Sequence, residues 1–450
     1  MTTQQKQGNI VAIVVMIFLF AMISFVTNLA SPMGDILKHQ FGVASWMGTL
    51  GVFANFIAYA VMGYPAGILL QKHGYKKTAL IAIAVGFIGV GIQTLSGTFG
   101  SSGFGVYLLG AFVAGFSMCM LNTVVNPMLK KLGRASKQGT EEEKEKRANQ
   151  LINTGGAFNS LSGTAVIILS GILIPNGIKN AVIGDVFPLM FAALAIFAFA
   201  FAIILFAAIP ENERQAKANE DKSQYSPLSF RHFVLGAVGI FVYVGIEVGI
   251  PNVLQKWLQN PDLDVLKLGG SESVETIAGS IAATYWFLMF IGRFIGAAIG
   301  SKVSAKAMLG VASTLGLVLT IVAMFTPSTL IDLPVFNKGV NSLTNIFTMA
   351  GVPINAAFLV LIGLCTSVMW GGIFNLAVQG LGKYTEKASG IFMIMVCGGG
   401  ILPLLQNGIV DMTGGIGYLT SYWVVIAGLA YLLFYTLVGS KNVNTNIDVN

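Results

Sequence analysis

Two isolated charged side chains stand inside apolar stretches of this sequence. Glu247 is the only charged residue between positions 233 and 254, and Arg293 lies within "YWFLMFIGRFIGA". A carboxylate is costly to remove from water unless it is paired or neutralised. Glu247 could therefore bind a coupling cation or proton, accept hydrogen bonds from a solute, or pair with a base. Arg293 could have one of two roles. Its side chain could snorkel toward water, or it could hold a gating ion pair or a helix end.

Amide side chains recur in the apolar stretches at helical spacing. Asn122 and Asn126 are four residues apart, which puts both on one face of a helix, and Pro127 frees a backbone carbonyl there. Amides donate and accept hydrogen bonds, as a hydroxyl-rich solute requires, although an interhelical hydrogen bond is the simpler interpretation for any single amide. The further candidate ligands of a solute are Asn28, Asn153, Asn159, Asn375, Gln379 and Gln406, with Trp286 and Trp370 as stacking platforms. Asp35, near the outer end of the first apolar stretch, is a further candidate for coupling or gating.

The elements that must position these residues are membrane-spanning helices. The chain has 450 residues, of which 55% are hydrophobic and only 10% charged, with a mean hydropathy of +0.76. Soluble domains carry about 25% charged residues, and about 18 consecutive apolar residues are enough to cross a bilayer. Twelve such stretches are predicted, at 10–30, 47–70, 78–95, 104–130, 148–174, 182–209, 233–257, 277–300, 305–325, 356–381, 389–410 and 416–438.

The loops between these stretches indicate orientation and organisation. Most of the 26 Lys and Arg residues lie in the tails and the even-numbered loops, so the positive-inside rule predicts that both termini are cytoplasmic. We predict an all-α membrane protein of twelve transmembrane helices in two six-helix bundles, residues 1–209 and 233–450, joined by a cytoplasmic linker at 210–232. "GILLQKHGYKK" and "GAAIGSKVSAK" occupy equivalent turns in the two halves. Repeated halves are typical of alternating-access carriers, which hold their substrate near the bilayer midplane.

Several stretches of the chain resemble known transporters. "GILLQKHGYKK" resembles the loop motif between the second and third helices of the major facilitator superfamily. With "NTVVNPML", "GGAFNSLSG", "YVGIEVG", "YWFLMFIGRFIGA" and "GLGKYTEKASGIFMIMVCGGGILPLLQ", the chain is similar over nearly its whole length to the fucose–galactose–glucose cation symporters. The resemblance implies the major facilitator fold, uptake of a monosaccharide coupled to a proton or sodium gradient, and a multi-pass protein of the bacterial inner membrane.

Three positions depart from the pattern of that family. Ser31 falls where many members have an aspartate, Asn122 where a proton-coupled relative has a glutamate, and Gly156 where one has a sugar-contacting glutamine, while Asn159 is retained. The N-terminal half therefore lacks the membrane carboxylates that proton coupling in that relative would use. Sodium coupling and facilitated diffusion by a uniporter stay open, as does a different small polar solute such as an amino sugar or a sugar acid.

Other classes of membrane protein lack their sequence signatures here. The three histidines, His39, His73 and His232, show no metal-ligand spacing, and the sequence has no phosphate-binding loop or nucleophile elbow. We predict a carrier rather than a polytopic membrane enzyme or a channel, with no catalytic residue, no metal site and no cofactor besides a coupling Na+ or H+. The predicted partners are a monosaccharide and the lipid bilayer, without nucleic acid, and we expect a monomer.

Overall fold

The structure is a computed structural model of the whole chain. It describes residues 3–43, 45–48, 50–174, 181–207, 209, 225–260, 262–268, 274–336, 347–414, 417–444, 446, 447 and 449. Most of the predicted linker, residues 210–224, lies outside the described part. So does the side chain of Asp35, although its backbone belongs to the first helix.

Long apolar helices build the N-terminal half. They are α1 (Thr3–Phe41), α2 (Ser45–Gly48), α3 (Leu50–Leu95), α4 (Gly103–Ser136), α5 (Glu141–Leu173) and α6 (Phe187–Phe206). The helix α3 is two membrane spans, because Gly74 interrupts it with a φ of 77°, a backbone conformation that glycine adopts without a steric penalty. This turn lies inside "GILLQKHGYKK", where the sequence predicts the second and third spans to be joined.

The C-terminal half contains two interrupted spans. Its helices are α7 (Arg231–Gln259), α8 (Val274–Ile299), α9 (Ala305–Phe325), α10 (Ile354–Thr366), α11 (Met369–Ala377), α12 (Thr385–Ile394), α13 (Gly398–Met412) and α14 (Trp423–Phe434). A short break at Ser367 and Val368 separates α10 from α11, and a 3-10 turn at Met395–Cys397 separates α12 from α13. Each of these two pairs of helices is one membrane span.

The prediction of twelve transmembrane helices is confirmed. Among the described residues, ten segments are long and apolar enough to cross a membrane. One of them, Leu50–Thr98, holds the two spans of α3, and the 33-residue α5, which packs against α1, α4 and α8, supplies the last.

A small antiparallel sheet adds to the helical fold. The strands β1 (Lys267–Leu268), β2 (Leu330–Phe336) and β3 (Phe347–Pro353) pair in the order β1-β3-β2. Ala350 and Val352 of β3 are buried, so one side of the sheet packs against the helix ends. The strands β2 and β3 pair with each other across the connection from α9 to α10.

One face of the molecule carries the connection from α4 to α5, the start of α7 and the turn from α8 to α9. We call it the basic face because Lys130, Arg134, Arg231 and Lys302 lie there. The sheet lies at the opposite face, since α9 runs from the basic face to β2. The basic face therefore corresponds to the side that the positive-inside rule assigns to the cytoplasm.

The two halves of the fold touch along α3 with α12 and along α5 with α8. Their backbones lie close together at Gly390 of α12, where a Cβ atom would lie 2.5 Å from the carbonyl oxygen of Gly63 and 2.6 Å from the Cα of Gly67. Next to it, the Ser389 hydroxyl donates to the carbonyl of Thr123 at 3.1 Å. In this conformation the halves are in backbone contact on the side of the basic face.

Candidate functional site

Glu247 and Arg293 form an ion pair in the interior of the helical bundle. Arg293 Nη2 on α8 lies 3.2 Å from Glu247 Oε1 on α7, and their side chains are only 9% and 13% exposed. Each charge compensates the other, which explains how a carboxylate is tolerated within an apolar helix. Of the roles that the sequence leaves open for Glu247, pairing with a base is the one seen in this conformation.

The guanidinium of Arg293 also binds the other half of the molecule. Its Nη1 donates to three acceptors on α5, the carbonyl of Gly156 at 3.0 Å, the hydroxyl of Ser160 at 2.6 Å and Asn159 Oδ1 at 3.3 Å. A Cβ atom at Gly156 would lie 3.4 Å from Arg293 Cδ, so a longer side chain there would compete with the arginine for space. Glycine at this position therefore makes room for a contact between the two halves.

Arg293 holds a helix end as well. Its Nε donates to the carbonyl of Ser367 at 3.3 Å, at the break that follows the last residue of α10. The last carbonyls of a helix lack intrahelical partners and carry partial negative charge, so a guanidinium stabilises them. Arg293 is thus buried in contacts rather than snorkelling toward water.

A row of hydrogen bonds crosses from the N-terminal half to the C-terminal half beside this ion pair. Asn122 Nδ2 donates to the Tyr59 hydroxyl at 2.9 Å, and Asn126 Nδ2 donates to the carbonyl of Asn122 at 2.8 Å. Trp370 Nε1 on α11 donates to Asn126 Oδ1 at 3.0 Å. The two asparagines share one face of α4, as their spacing predicts, and Trp370 joins them to the opposite half.

Tyr243 connects the row to the ion pair. Its ring meets that of Trp370 edge to face, with centroids 6.3 Å apart, and its hydroxyl lies beside Glu247 and Arg293. Tyr243 was not predicted from the sequence. It stands four residues before Glu247 on α7, and this spacing on one helical face is the signal that could have identified it.

Three predicted amides are buried between helices with polar atoms that have no hydrogen-bond partner among the described residues. They are Asn153 Nδ2, Asn375 Oδ1 and both head-group atoms of Gln406. Gln406 is only 1% exposed and packs against Gly249 of α7. An unsatisfied buried amide costs about 1–3 kcal/mol, so these groups are available to a solute or to water.

Other candidates lie apart from this cluster or are already engaged. Asn159 Nδ2 donates to the carbonyl of Phe20, so its amide is held by the protein at both ends. Asn28 Nδ2 donates hydrogen bonds to Ser24 on its own helix. The ring of Trp286 meets that of Tyr285 edge to face. These side chains make protein contacts typical of helix packing.

Gln379 is exposed at the basic face, where its carbonyl accepts a hydrogen bond from His232 Nε2 at 2.9 Å. The sequence placed Gln379 on the tenth span. The structure puts it outside the cluster because α11 ends at Ala377.

The fold and the site together define a polytopic membrane transporter with two halves that enclose a central polar cluster. The sequence profile of the Major Facilitator Superfamily matches residues 11–404, and this chain belongs to that family. It is a multi-pass protein of the bacterial inner membrane, and the prediction of a transporter rather than an enzyme is confirmed by the family.

Two bacterial relatives match most of the chain. The "Glucose/galactose transporter" of Brucella abortus is 30% identical over 98% of this chain and 97% of its own length. The "L-fucose-proton symporter" of Escherichia coli is 20% identical over 88% of this chain and 87% of its own. Among solved structures, the transporter FucP in the outward conformation superposes with a TM-score of 0.76 at 18% identity, covering 97% of this chain and 100% of that one. The proton:xylose symporter XylE superposes with a TM-score of 0.71 at 12% identity.

Proposed function

We propose that this protein imports a monosaccharide, either a hexose of the glucose and galactose type or a fucose-like sugar, by alternating access. The observation that carries the proposal is the polar cluster between the halves, in which Arg293 binds Glu247 and α5 at once. Relatives that match most of the chain carry the names of sugar transporters, which supports the substrate class.

Asn122, Asn126 and Trp370 are the sugar ligands in this proposal. They offer amide donors, amide acceptors and an indole N–H in one row, together with an aromatic face. Hexose hydroxyls both donate and accept, and they can replace the bonds that these groups make to each other in the absence of substrate. The row joins the two halves, so a sugar bound there contacts both of them.

The direction of opening follows from the contacts on the basic face. Gly390 meets Gly63 and Gly67 there, which closes that side of the molecule. With the basic face in the cytoplasm, this conformation is the one that receives sugar from outside. We further propose residues 1–209 and 233–450 as the two moving bodies and 210–232 as the linker between them.

Glu247 is the proposed coupling group, and the proton is the proposed coupling ion. One carboxyl oxygen of Glu247, Oε1, is already bonded by Arg293, so Na+ would have to share the carboxylate with a guanidinium or displace it. A proton neutralises the carboxylate without needing space for a hydrated ion. The proton-coupled name of the fucose relative supports the same choice.

A uniporter is the second candidate function. The Glu247–Arg293 pair compensates its own charges without any coupling ion, which is compatible with facilitated diffusion of an uncharged sugar.

Transport by purified protein in proteoliposomes tests both candidates. A proton symporter accumulates labelled glucose or galactose under an inward proton gradient and loses this accumulation with a protonophore. The Glu247→Gln variant should lose accumulation and keep counterflow, whereas Glu141→Gln, which removes an exposed glutamate at the basic face, should keep both. Accumulation driven by a sodium gradient alone would mean that the coupling ion is Na+ and not a proton. Counterflow without accumulation would favour the uniporter, and the absence of counterflow for any monosaccharide would contradict the substrate class.

A further inference from the structure

A buried lysine connects the two halves at the basic face. Lys130, near the end of α4, is only 7% exposed, although lysine is among the residues that are almost never fully buried without a partner. It lines a cavity of about 1230 Å³ between the halves, together with Tyr75 of the N-terminal half and Asn375 and Glu386 of the C-terminal half. Separation of the halves at this face must widen the cavity.

Lys130 has one partner on each side of that cavity. Its Nζ donates to the carbonyl oxygen of Asn375 at 2.9 Å, and it lies 3.3 Å from Glu145 Oε2 on α5, in its own half. Asn375 is two residues before the end of α11 at Ala377, so its carbonyl belongs to the last turn of that helix. Such carbonyls lack an intrahelical donor and carry the negative end of the helix dipole, which makes them good acceptors for an ammonium group.

The two partners behave differently when the halves move apart. The bond to Asn375 crosses the interface and must break, whereas the ion pair with Glu145 stays within the N-terminal half. Lys130 therefore keeps a counter-ion in both conformations, and opening does not leave its buried ammonium group without a partner. The closed conformation has one additional charge-assisted hydrogen bond, which is among the stronger kinds in proteins.

We propose that Lys130 is a positioning residue that holds the basic face closed, with the Asn375 carbonyl as its partner in the closed conformation and Glu145 as its partner in both. The proposal rests on alternating access but not on the identity of the substrate or of the coupling ion. It concerns the equilibrium between the two conformations, so it can be measured without sugar.

Lys130 can be substituted without leaving an unpaired charge beside it. Glu145 also pairs with Arg134, so the Lys130→Gln variant leaves no unpaired carboxylate. Lys130→Arg keeps a cation that can reach a carbonyl and a carboxylate, and it serves as the conservative variant. Lys144→Gln is the matched control, because Lys144 lines the same cavity and pairs with Glu141 inside one half.

The reporter is Ser389→Cys in a chain whose three native cysteines are replaced by alanine. Ser389 is fully buried between the halves in the closed conformation, and opening of the basic face exposes it. A membrane-impermeant maleimide is applied to the basic face of sugar-free vesicles, and the labelling rate reports the open fraction. We expect Lys130→Gln to raise the rate about tenfold, which corresponds to about 1.4 kcal/mol. The Lys130→Arg rate should stay near that of the parent, and the Lys144→Gln rate should stay within about twofold of it.

Two results would overturn the proposal. The first is an unchanged labelling rate in a folded Lys130→Gln protein. The second is a raised rate that comes with a lower melting temperature and is not restored by Lys130→Arg, because this would mean that Lys130 only stabilises the fold. Failure of sugar transport in the unmodified protein would contradict the proposed function and leave the labelling result intact.

Discussion

The ion pair between Glu247 and Arg293 makes an asymmetric prediction about stability. Removing one partner of a buried pair costs about 3–5 kcal/mol, because the other charge stays buried without compensation. In Glu247→Gln, the guanidinium of Arg293 keeps its bonds to Gly156, Ser160 and the Ser367 carbonyl, so the cost should lie near the lower limit. In Arg293→Gln, the carboxylate loses its only ionic partner in the described part of the chain, so the cost should lie near the upper limit.

The double variant should be less destabilised than the sum of the two single variants. It replaces both charges by neutral amides of similar size, and the coupling between the two positions should be at least about 2 kcal/mol. Thermal unfolding of the purified proteins in one detergent measures this. With about 1–2 °C of melting temperature for each kcal/mol in a chain of this length, each single variant should melt several degrees below the parent.

An exposed pair supplies the control for this cycle. Lys144 and Glu141 approach to 2.8 Å, but their side chains are 33% and 68% exposed, so their substitution to glutamine should change the melting temperature little and additively. Additive effects at Glu247 and Arg293, or a more stable Arg293→Gln than Glu247→Gln, would refute the assignment of the pair as a buried, mutually dependent unit.

Two further outcomes are expected. Asn122→Ala and Asn126→Ala should each weaken hexose binding by about 2- to 12-fold, the loss of a hydrogen bond of about 0.5–1.5 kcal/mol, and normal equilibrium binding by both variants would mean that the sugar lies elsewhere. Gly390→Val should keep the halves apart at the basic face, because no Cβ fits beside Gly63, and maleimide labelling of Ser389→Cys should rise, whereas unchanged labelling would contradict the closeness of these backbones.

The number and order of the helices could be predicted because each span needs a long apolar run, and such runs are local in the sequence. The turn at Gly74 was also predictable from the local sequence, because a glycine and neighbouring lysines indicate a turn there. The break between α10 and α11 was not, because Ser367 and Val368 are neither glycine nor proline, and the cap that Arg293 provides comes from another helix. The strands were not predicted, because their pairing joins segments that are distant in the sequence.

The candidate site was predicted in its residue types more than in its contacts. Asn122 and Asn126 share a helix, so their common face follows from their spacing. Glu247 and Arg293 are on different helices, and the rotation of each helix, which decides whether they meet, depends on packing across the bundle. For Gln379, a predicted contact is missing from the structure. Because α11 ends early, this amide lies at the surface and not in the predicted cluster.

The distribution of charge between the halves indicates how protonation could be coupled to movement. The acceptors that α5 offers to Arg293 are neutral, a carbonyl, a hydroxyl and an amide oxygen, whereas Glu247 is charged and belongs to the same half as the arginine. While Glu247 is ionised, the strongest partner of Arg293 is inside its own half. In the proposed mechanism, a proton on Glu247 removes that partner, and the guanidinium is left with its neutral acceptors on α5 and at the end of α10. Protonation thus removes the strongest bond that Arg293 makes within its own half and leaves its bonds to α5 in place, and this is how a proton at one carboxylate can change the balance of contacts between two bundles.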